Sequence, residues 1–243
     1  MKTEWFESWF GAEYVALYPH RDEAEAEDAV DLVERTIGDV EVPRVLDLAC
    51  GAGRHSHVLA KRWWTAGLDL SEILLRLAIK EGDKDGEAEF VRGDMRVLPF
   101  RDDAFQLVVN LFTSFGYFQD DASHITVVQE VARVTAPGGT FVLDFLNTRH
   151  LRETLVPYDE RDIGGKIVEQ RREISDDGRF VIKHICIRGE SREFTERVRL
   201  FDPDELRDMM EDAGFFVTST YGNYDGTLVT PSSPRAIVFG RKR

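Results

Sequence analysis

The sequence has only two cysteines, Cys50 and Cys186, and their positions do not suggest a disulfide framework. No apolar run approaches the length of a membrane span. The first ten residues include two acids and lack the long apolar core of a signal peptide. These absences predict a protein of the reducing cytoplasm without a membrane partner, whereas the sequence leaves open whether it is a monomer or a homodimer.

Basic residues are also scarce, because 31 Lys and Arg stand against 45 Asp and Glu and give a formal net charge of −14. A protein that binds nucleic acid usually carries a basic patch or stripe. The longest basic cluster here is the three-residue run Arg241–Arg243. We therefore expect a partner other than nucleic acid.

Strand-like and helix-like segments alternate along the first two thirds of the chain. The predicted strands are Arg44–Leu48, Thr65–Leu70, Ala88–Arg92, Leu107–Phe112 and Thr140–Phe145. The predicted helices are Glu23–Ile37, Ser56–Arg62, Glu72–Glu81 and Ala122–Thr135. The strands are apolar on both faces, which is typical of a mostly parallel sheet covered by helices on both sides.

The pattern changes after the fifth strand, where three strand-like runs follow one another without helices. These runs are Lys166–Ile174, Phe180–Arg188 and Arg192–Phe201. A capped helix from Asp202 and two final strands, Phe215–Tyr221 and Ala236–Gly240, then complete the chain. We expect an N-terminal helical cap (residues 1–40), a core (41–156 and 202–243) and an inserted antiparallel meander (157–201), which serves as a substrate lid or in dimerisation.

A glycine-rich turn and three acidic residues indicate a ligand-binding site. Asp47 precedes the turn Gly51-Ala-Gly53, Asp69 ends the second strand, and Asp94 follows the third. Because ligands of doubly wound sheets bind at the carboxyl ends of the strands, the three carboxylates should converge on one site. A nicotinamide or flavin site usually has a third glycine at the position that Ser56 occupies here. The acid before the turn, Asp47, favours a positively charged ligand over a pyrophosphate.

The chain resembles the class I S-adenosylmethionine-dependent methyltransferases. The motifs that carry the resemblance are Asp47-Leu-Ala-Cys-Gly-Ala-Gly53, Gly67-Leu-Asp-Leu-Ser71, Gly93-Asp-Met95, Leu98-Pro-Phe100 with Phe105-Gln-Leu-Val-Val109, and Ala136-Pro-Gly-Gly139. It implies an α/β fold with a doubly wound, Rossmann-like, mostly parallel sheet of seven strands, the last of them antiparallel. It also implies S-adenosyl-L-methionine as cofactor, S-adenosyl-L-homocysteine as product, and a small-molecule methyl acceptor.

The resemblance assigns roles to individual residues. Asp47 would lie near the ammonium of the methionine moiety, Asp69 would hold the ribose hydroxyls, and Asp94 would accept from the adenine amino group. The full set of cofactor residues is Tyr14, Asp47, Ala49, Gly51, Gly53, Asp69, Leu70, Asp94, Met95, Asn110 and Leu111. Arg21 is a further candidate contact beside Tyr14.

The acceptor side is less defined by the sequence. Candidate substrate residues are Phe112, Tyr117, Asn147 and Arg149, which follow the fourth and fifth strands. The sequence shows no clear general base, so N-methylation and O-methylation both stay open. It shows no metal site, and we expect His124 on a helix surface. The alternatives are a catalytically silent protein that binds the cofactor for regulation, and a nicotinamide-dependent oxidoreductase.

Overall fold

A computed structural model describes residues 4–17, 23–38, 41–42, 44–82 and 88–243 of the chain. Arg21 lies outside the described residues. The helices are α1 (Trp5–Trp9), α2 (Ala12–Leu17), α3 (Glu23–Ile37), α4 (Arg54–Ala60), α5 (Glu72–Glu81), α6 (Asp121–Val134), α7 (Thr148–Thr154) and α8 (Pro203–Asp212). Helices α3 and α5 have the predicted bounds, and the Ser71 hydroxyl caps α5 by accepting from the backbone N–H of Leu74.

The main sheet has seven strands. They are β1 (Val45–Leu48), β2 (Thr65–Asp69), β3 (Glu89–Arg92), β4 (Phe105–Asn110), β5 (Thr135–Leu146), β10 (Phe215–Tyr221) and β11 (Arg235–Lys242), in the spatial order β10-β11-β5-β4-β1-β2-β3. Strands β3, β2, β1, β4 and β5 are parallel neighbours, and β11 is antiparallel to both β5 and β10. The predicted fold class is confirmed.

The order of the sheet fixes where a ligand can bind. Strand β1 lies between β2 and β4, so the chain proceeds outward from β1 in both directions. All four residues of β1 are buried, as expected for a strand covered on both faces. The carboxyl ends of β1, β2 and β4 meet at this switch point, where the diverging connections leave a crevice.

The inserted segment forms a second, antiparallel sheet. It contains β6 (Tyr158–Ile163), β7 (Lys166–Ile174), β8 (Phe180–Ile187) and β9 (Glu193–Arg199), which is one strand more than the sequence predicted. Strand β6 is an edge strand that pairs only with β7 within this sheet, and most of its residues are exposed or half-buried. Its charged sequence therefore lacks the apolar alternation that marked the other three strands.

The N-terminal helices lie between the second sheet and the main sheet. The Trp9 ring lies 4.5 Å from the ring of Phe194 on β9, and its Nε1 donates to Glu196 Oε1 at 2.8 Å. Trp9 and Tyr14 also belong to a buried apolar cluster that includes Leu74 of α5. Strand β9 and α5 thereby fix α1 and α2 above the crevice.

Candidate active site

A cleft of about 1160 Å³ opens at the switch point. Its walls come from the glycine turn after β1, the ends of β2 and β3, the loop after β4, and helices α1 and α2. The sequence-predicted residues that line it are Tyr14, Asp47, Ala49, Gly51, Asp69, Leu70, Asp94, Met95, Leu111, Phe112 and Tyr117. The fold therefore brings most of the predicted site together on one continuous surface.

The glycine turn needs its glycines for two different reasons. Gly51 has a φ of 58°, and a Cβ built there would meet only Leu74 Cδ1 at 3.9 Å, so its backbone is open to the cleft. Gly53 has a φ of 83°, and a Cβ there would lie 2.8 Å from Ala78 Cβ and 3.1 Å from Phe90 Cζ. Gly53 is therefore required by packing against α5 and β3 rather than by contact with the cleft.

Asp69 accepts a hydrogen bond directly from the glycine turn. Its Oδ2 accepts from the backbone N–H of Gly51 at 2.8 Å, and its Oδ1 accepts from the backbone N–H of Ser71 at 2.8 Å. Burial raises the pKa of Asp69, and the backbone N–H groups of Ser71, Gly51 and Leu70 oppose that rise. Each oxygen has one backbone donor, so each can still accept another hydrogen bond from a ligand.

Asp47 is the most buried of the three acids, with 1% of its surface exposed. Burial raises the pKa of this carboxyl to about 7, although the Ser56 hydroxyl, which donates to Asp47 Oδ2 at 2.6 Å, acts in the opposite direction. A buried carboxylate that lines a cleft favours a cationic ligand, because the cation restores the ionised form of the acid.

Asp94 faces the cleft with a neighbouring cation already in place. Its Oδ1 accepts from the backbone N–H of Arg96 at 2.8 Å, and its Oδ2 accepts from Arg96 Nη2 at 2.6 Å. Burial raises its pKa, but the bonds from Arg96 outweigh this and hold the pKa below its usual value. Asp94 is therefore an ionised acceptor at neutral pH, as expected of a group that receives an amino N–H.

Four predicted residues do not line the cleft: Gly53, Asn110, Asn147 and Arg149. The Asn110 amide donates to the backbone oxygen of Leu48 at 2.8 Å and joins β4 to β1. Asn147 caps α7 and donates to the backbone oxygen of Ser233 at 2.8 Å. Arg149 is exposed and pairs with Asp204 on α8 at 3.1 Å, so the contacts of both candidates after β5 lie around α7 and outside the cleft.

The cleft also contains residues that the sequence analysis did not assign to the cofactor. Arg54, the first residue of α4, lines it; its guanidinium lies 4.6 Å from the Phe112 ring centroid and 2.9 Å from Glu25 Oε2. The sequence signal that could have identified Arg54 is a cation at the first position of the helix after the glycine turn. Such a group can face an anionic part of a ligand.

The prediction that His124 lies on a helix surface was wrong. The side chain is fully buried, Nδ1 lies 2.9 Å from the Asp120 backbone oxygen, and Nε2 accepts from the backbone N–H of Phe118 at 3.3 Å. Burial lowers its pKa to about 4. His124 is thus a neutral structural residue that fixes the loop before α6.

The residues present fit S-adenosylmethionine. The open backbone at Gly51 leaves room for a ligand at the turn, Asp69 offers two acceptors for a diol, and Asp47 favours positive charge. Ser56, in place of a third glycine, is fully buried and donates its hydroxyl to Asp47, which is unlike the close helix approach that a dinucleotide needs. Within the described ranges, no group of His, Cys, Asp and Glu side chains is arranged to hold a metal ion.

Comparison with known proteins agrees with this geometry. Residues 45–139 match a family model described as a methyltransferase domain. The chain is 38% identical over 107 residues to a fatty-acid O-methyltransferase of Mycolicibacterium smegmatis, covering 43% of this chain and 37% of that protein. It is 37% identical over 123 residues to the dTDP-3-amino-3,4,6-trideoxy-alpha-D-glucopyranose N,N-dimethyltransferase of Streptomyces venezuelae, covering 50% and 49%. The matched segments thus span a third to a half of these relatives.

Solved structures match over nearly the whole chain. The CcbJ methyltransferase of Streptomyces caelestis has a TM-score of 0.81 at 20% identity, covering 96% of this chain and 98% of that one. DesVI of Streptomyces venezuelae has a TM-score of 0.67 at 26% identity, covering 95% and 97%. Of the helices in the described segments, none combines the length and the apolar character needed to cross a membrane. These similarities show a methyltransferase domain over residues 45–139, in a chain that has the fold of S-adenosylmethionine-dependent methyltransferases.

Proposed function

We propose that the protein transfers a methyl group from S-adenosylmethionine to a small molecule and that the accepting atom is an amine nitrogen. The observation that best supports methyl transfer is the hydrogen bond from the backbone N–H of Gly51 to the carboxylate of Asp69 at the base of the cleft. It places an open backbone turn beside a carboxylate that can take a diol. The similar proteins include an N,N-dimethyltransferase and an O-methyltransferase, so similarity alone does not distinguish an amine acceptor from a hydroxyl acceptor.

The cofactor supplies an electrophilic methyl group on a positively charged sulfur. The chain's own residues contribute binding and alignment. The remaining lone pairs of Asp69 would accept hydrogen bonds from the two ribose hydroxyls, and Asp94 would accept one from the amino group of the base. Leu70 and Met95 line the same part of the cleft and supply apolar surface for the ring. Fixing the donor in this way lowers the entropic part of the barrier for an in-line displacement.

The charge of the cleft supports an amine acceptor. Nine acidic side chains line it: Glu7, Glu13, Glu23, Glu27, Asp47, Asp69, Glu72, Glu81 and Asp94. The cationic side chains of the described lining are Arg54, Lys61 and Arg92, and each is paired with a glutamate. The resulting negative potential attracts a cationic substrate and disfavours a carboxylate or phosphate.

The aromatic wall of the cleft supports the same acceptor. The Phe10 ring lies 4.8 Å from the Tyr14 ring and 5.5 Å from the Tyr117 ring, and all three line the cleft. Aromatic faces attract ammonium groups. Only the neutral amine carries the attacking lone pair, so an amine that enters as its ammonium form first loses a proton to solvent. This deprotonation needs a weaker base than the activation of a hydroxyl does.

Calorimetry with S-adenosylmethionine, S-adenosylhomocysteine and NAD tests the cofactor assignment. Both sulfur compounds should bind and NAD should not. Asp69→Ala should weaken S-adenosylhomocysteine binding by at least about 100-fold, because two hydrogen bonds to a charged group are lost, each worth about 1.5–3 kcal/mol. Asp208→Ala, which removes an exposed acid of α8, is the matched control and should leave the affinity unchanged. Failure of both sulfur compounds to bind the wild-type protein would sink the proposal.

A labelled methyl donor tests the acceptor. Pools of small amines, alcohols and carboxylic acids are incubated separately with the protein and S-adenosylmethionine labelled in the methyl group. We expect transfer to the amine pool. Transfer confined to alcohols or acids would contradict the amine assignment, and binding without transfer to any pool would favour the regulatory alternative.

A further inference from the structure

Two consecutive residues after β4 adopt a left-handed backbone. Phe112 has a φ of 59° and Thr113 a φ of 61°. This region is disfavoured for residues other than glycine, above all for a β-branched residue such as Thr113. Strain of this kind persists only where the surroundings impose it, and it concentrates at functional sites. Phe112 lines the cleft, so the strained turn forms part of its wall.

A buried carboxylate imposes this backbone. Asp144, near the end of β5, is fully buried, and its Oδ2 accepts from the backbone N–H of Phe112 at 2.9 Å. Its own backbone oxygen accepts from the N–H of Thr113 at 3.0 Å. One residue therefore binds both N–H groups of the left-handed pair.

Two further side chains hold that carboxylate in place. The Tyr224 hydroxyl donates to Asp144 Oδ2 at 2.6 Å, and Arg235 Nε donates to Asp144 Oδ1 at 2.6 Å. Burial and the Asp144 charge raise the pKa of Tyr224, so its hydroxyl stays protonated and remains a donor. The ion pair with Arg235 is closed to solvent on the Asp144 side, where the carboxylate has no exposed surface.

The same arginine also reaches the ring of Phe112. The Arg235 guanidinium lies 5.4 Å from the Phe112 ring centroid, and the Arg54 guanidinium lies 4.6 Å from it. Cations at these distances attract an aromatic ring. The backbone of Phe112 is thus fixed by Asp144, while its ring is held by arginines from β11 and from the helix that follows the glycine turn.

We propose that Asp144, Tyr224 and Arg235 are positioning residues that hold Phe112 in its left-handed conformation as the wall of the cofactor site. None of the three is among the residues that line the described cleft, so they act through Phe112. This inference rests on the proposed function, because the ligand used to test it is S-adenosylhomocysteine. It predicts that a change at Tyr224, outside the cleft, alters the affinity of a ligand inside it.

The first measurement compares two tyrosine variants by calorimetry with S-adenosylhomocysteine. Tyr224→Phe removes one bond to Asp144 and keeps the buried ring, and we expect affinity to fall about tenfold. Tyr221→Phe is the matched control, because its ring packs beside the same apolar cluster, and its affinity should equal that of the wild type. An unchanged affinity in Tyr224→Phe would overturn the proposal.

A double-mutant cycle with Phe112→Gly separates positioning from general destabilisation. Glycine adopts the left-handed backbone without strain and has no ring to position. In the Phe112→Gly background, Tyr224→Phe should therefore leave S-adenosylhomocysteine affinity unchanged while it still lowers the melting temperature. The titration is run at ligand concentrations that can follow a loss of about a hundredfold.

The outcomes of the cycle are distinct. If Tyr224→Phe lowers the affinity equally in both backgrounds, the network acts on the cleft by some route other than Phe112, and the positioning role is refuted. If the wild-type protein binds no S-adenosylhomocysteine, the proposed function fails instead. An effect of Tyr224→Phe that disappears in the Phe112→Gly background supports the inference.

Discussion

Replacing Asp47 by Asn should stabilise the protein and weaken its site at the same time. Burial raises the pKa of Asp47 from 3.8 to about 7, so the folded state holds this proton more tightly than the unfolded state does. Ionisation of Asp47 therefore lowers the folding stability. This loss is close to zero below pH 4, grows as pH rises, and reaches its full size above pH 7. At about 1.36 kcal/mol for each tenfold change in proton affinity, the full cost is on the order of 4 kcal/mol.

Denaturant unfolding of the wild type and Asp47→Asn between pH 4 and pH 8 measures this cost. The stability difference should be near zero at pH 4 and should favour the variant by several kcal/mol at pH 8, because the Ser56 hydroxyl can still donate to the Asn oxygen. S-adenosylhomocysteine should bind the wild type more tightly as pH rises through 7, and this trend should vanish in the variant. Asp208→Asn controls for the loss of one exposed carboxylate. A stability difference independent of pH would refute the argument.

The remaining predictions concern the glycine turn and α7. Gly53→Ala should lose more stability than Gly51→Ala in thermal melts: both add strain of about 1–2 kcal/mol from the left-handed backbone, but only Gly53→Ala adds a clash with Ala78, worth about 1–3 kcal/mol. Equal losses would show that packing does not select Gly53. Arg149→Ala removes an exposed pair with Asp204, so stability should change by less than about 1 kcal/mol and methyl transfer should stay at the wild-type rate. A large fall in transfer with intact cofactor binding would return Arg149 to the acceptor site.

Local signals determined how much of the fold could be predicted from the sequence. Helix Glu72–Glu81 begins at a serine cap and ends before a glycine, and its bounds were predicted to the residue. Strand Tyr158–Ile163 was missed because it is charged and mostly exposed, and only its pairing with β7 marks it as a strand. Helix Thr148–Thr154 was also missed, since it is short and depends on the Asn147 cap.

In the candidate site, too, local sequence signals reveal some residues, whereas others depend on contacts between distant parts of the chain. The convergence of Asp47, Asp69 and Asp94 on one cleft could be predicted, because each lies near or just beyond the carboxyl end of a predicted strand. The turn at Phe112 could not, because the apolar run reads as a continuing strand, whereas its left-handed backbone depends on a residue 32 positions later. His124 was misplaced for a related reason, since Phe115 of the preceding loop and Phe201 from a distant segment pack against it.

The position of β11 has a consequence for synthesis on the ribosome. This strand lies between β5 and β10, so the main sheet stays divided until residues 235–242 have emerged from the exit tunnel. Until then Asp144 lacks the cation that faces it in the finished protein, 91 positions along the chain. A nascent chain can pair β1 through β5 earlier, but the hydrogen bonds around Asp144, which binds the backbone of Phe112, are complete only when β11 inserts. Ligand binding should therefore follow the insertion of β11 and not the earlier pairing of β1 through β5.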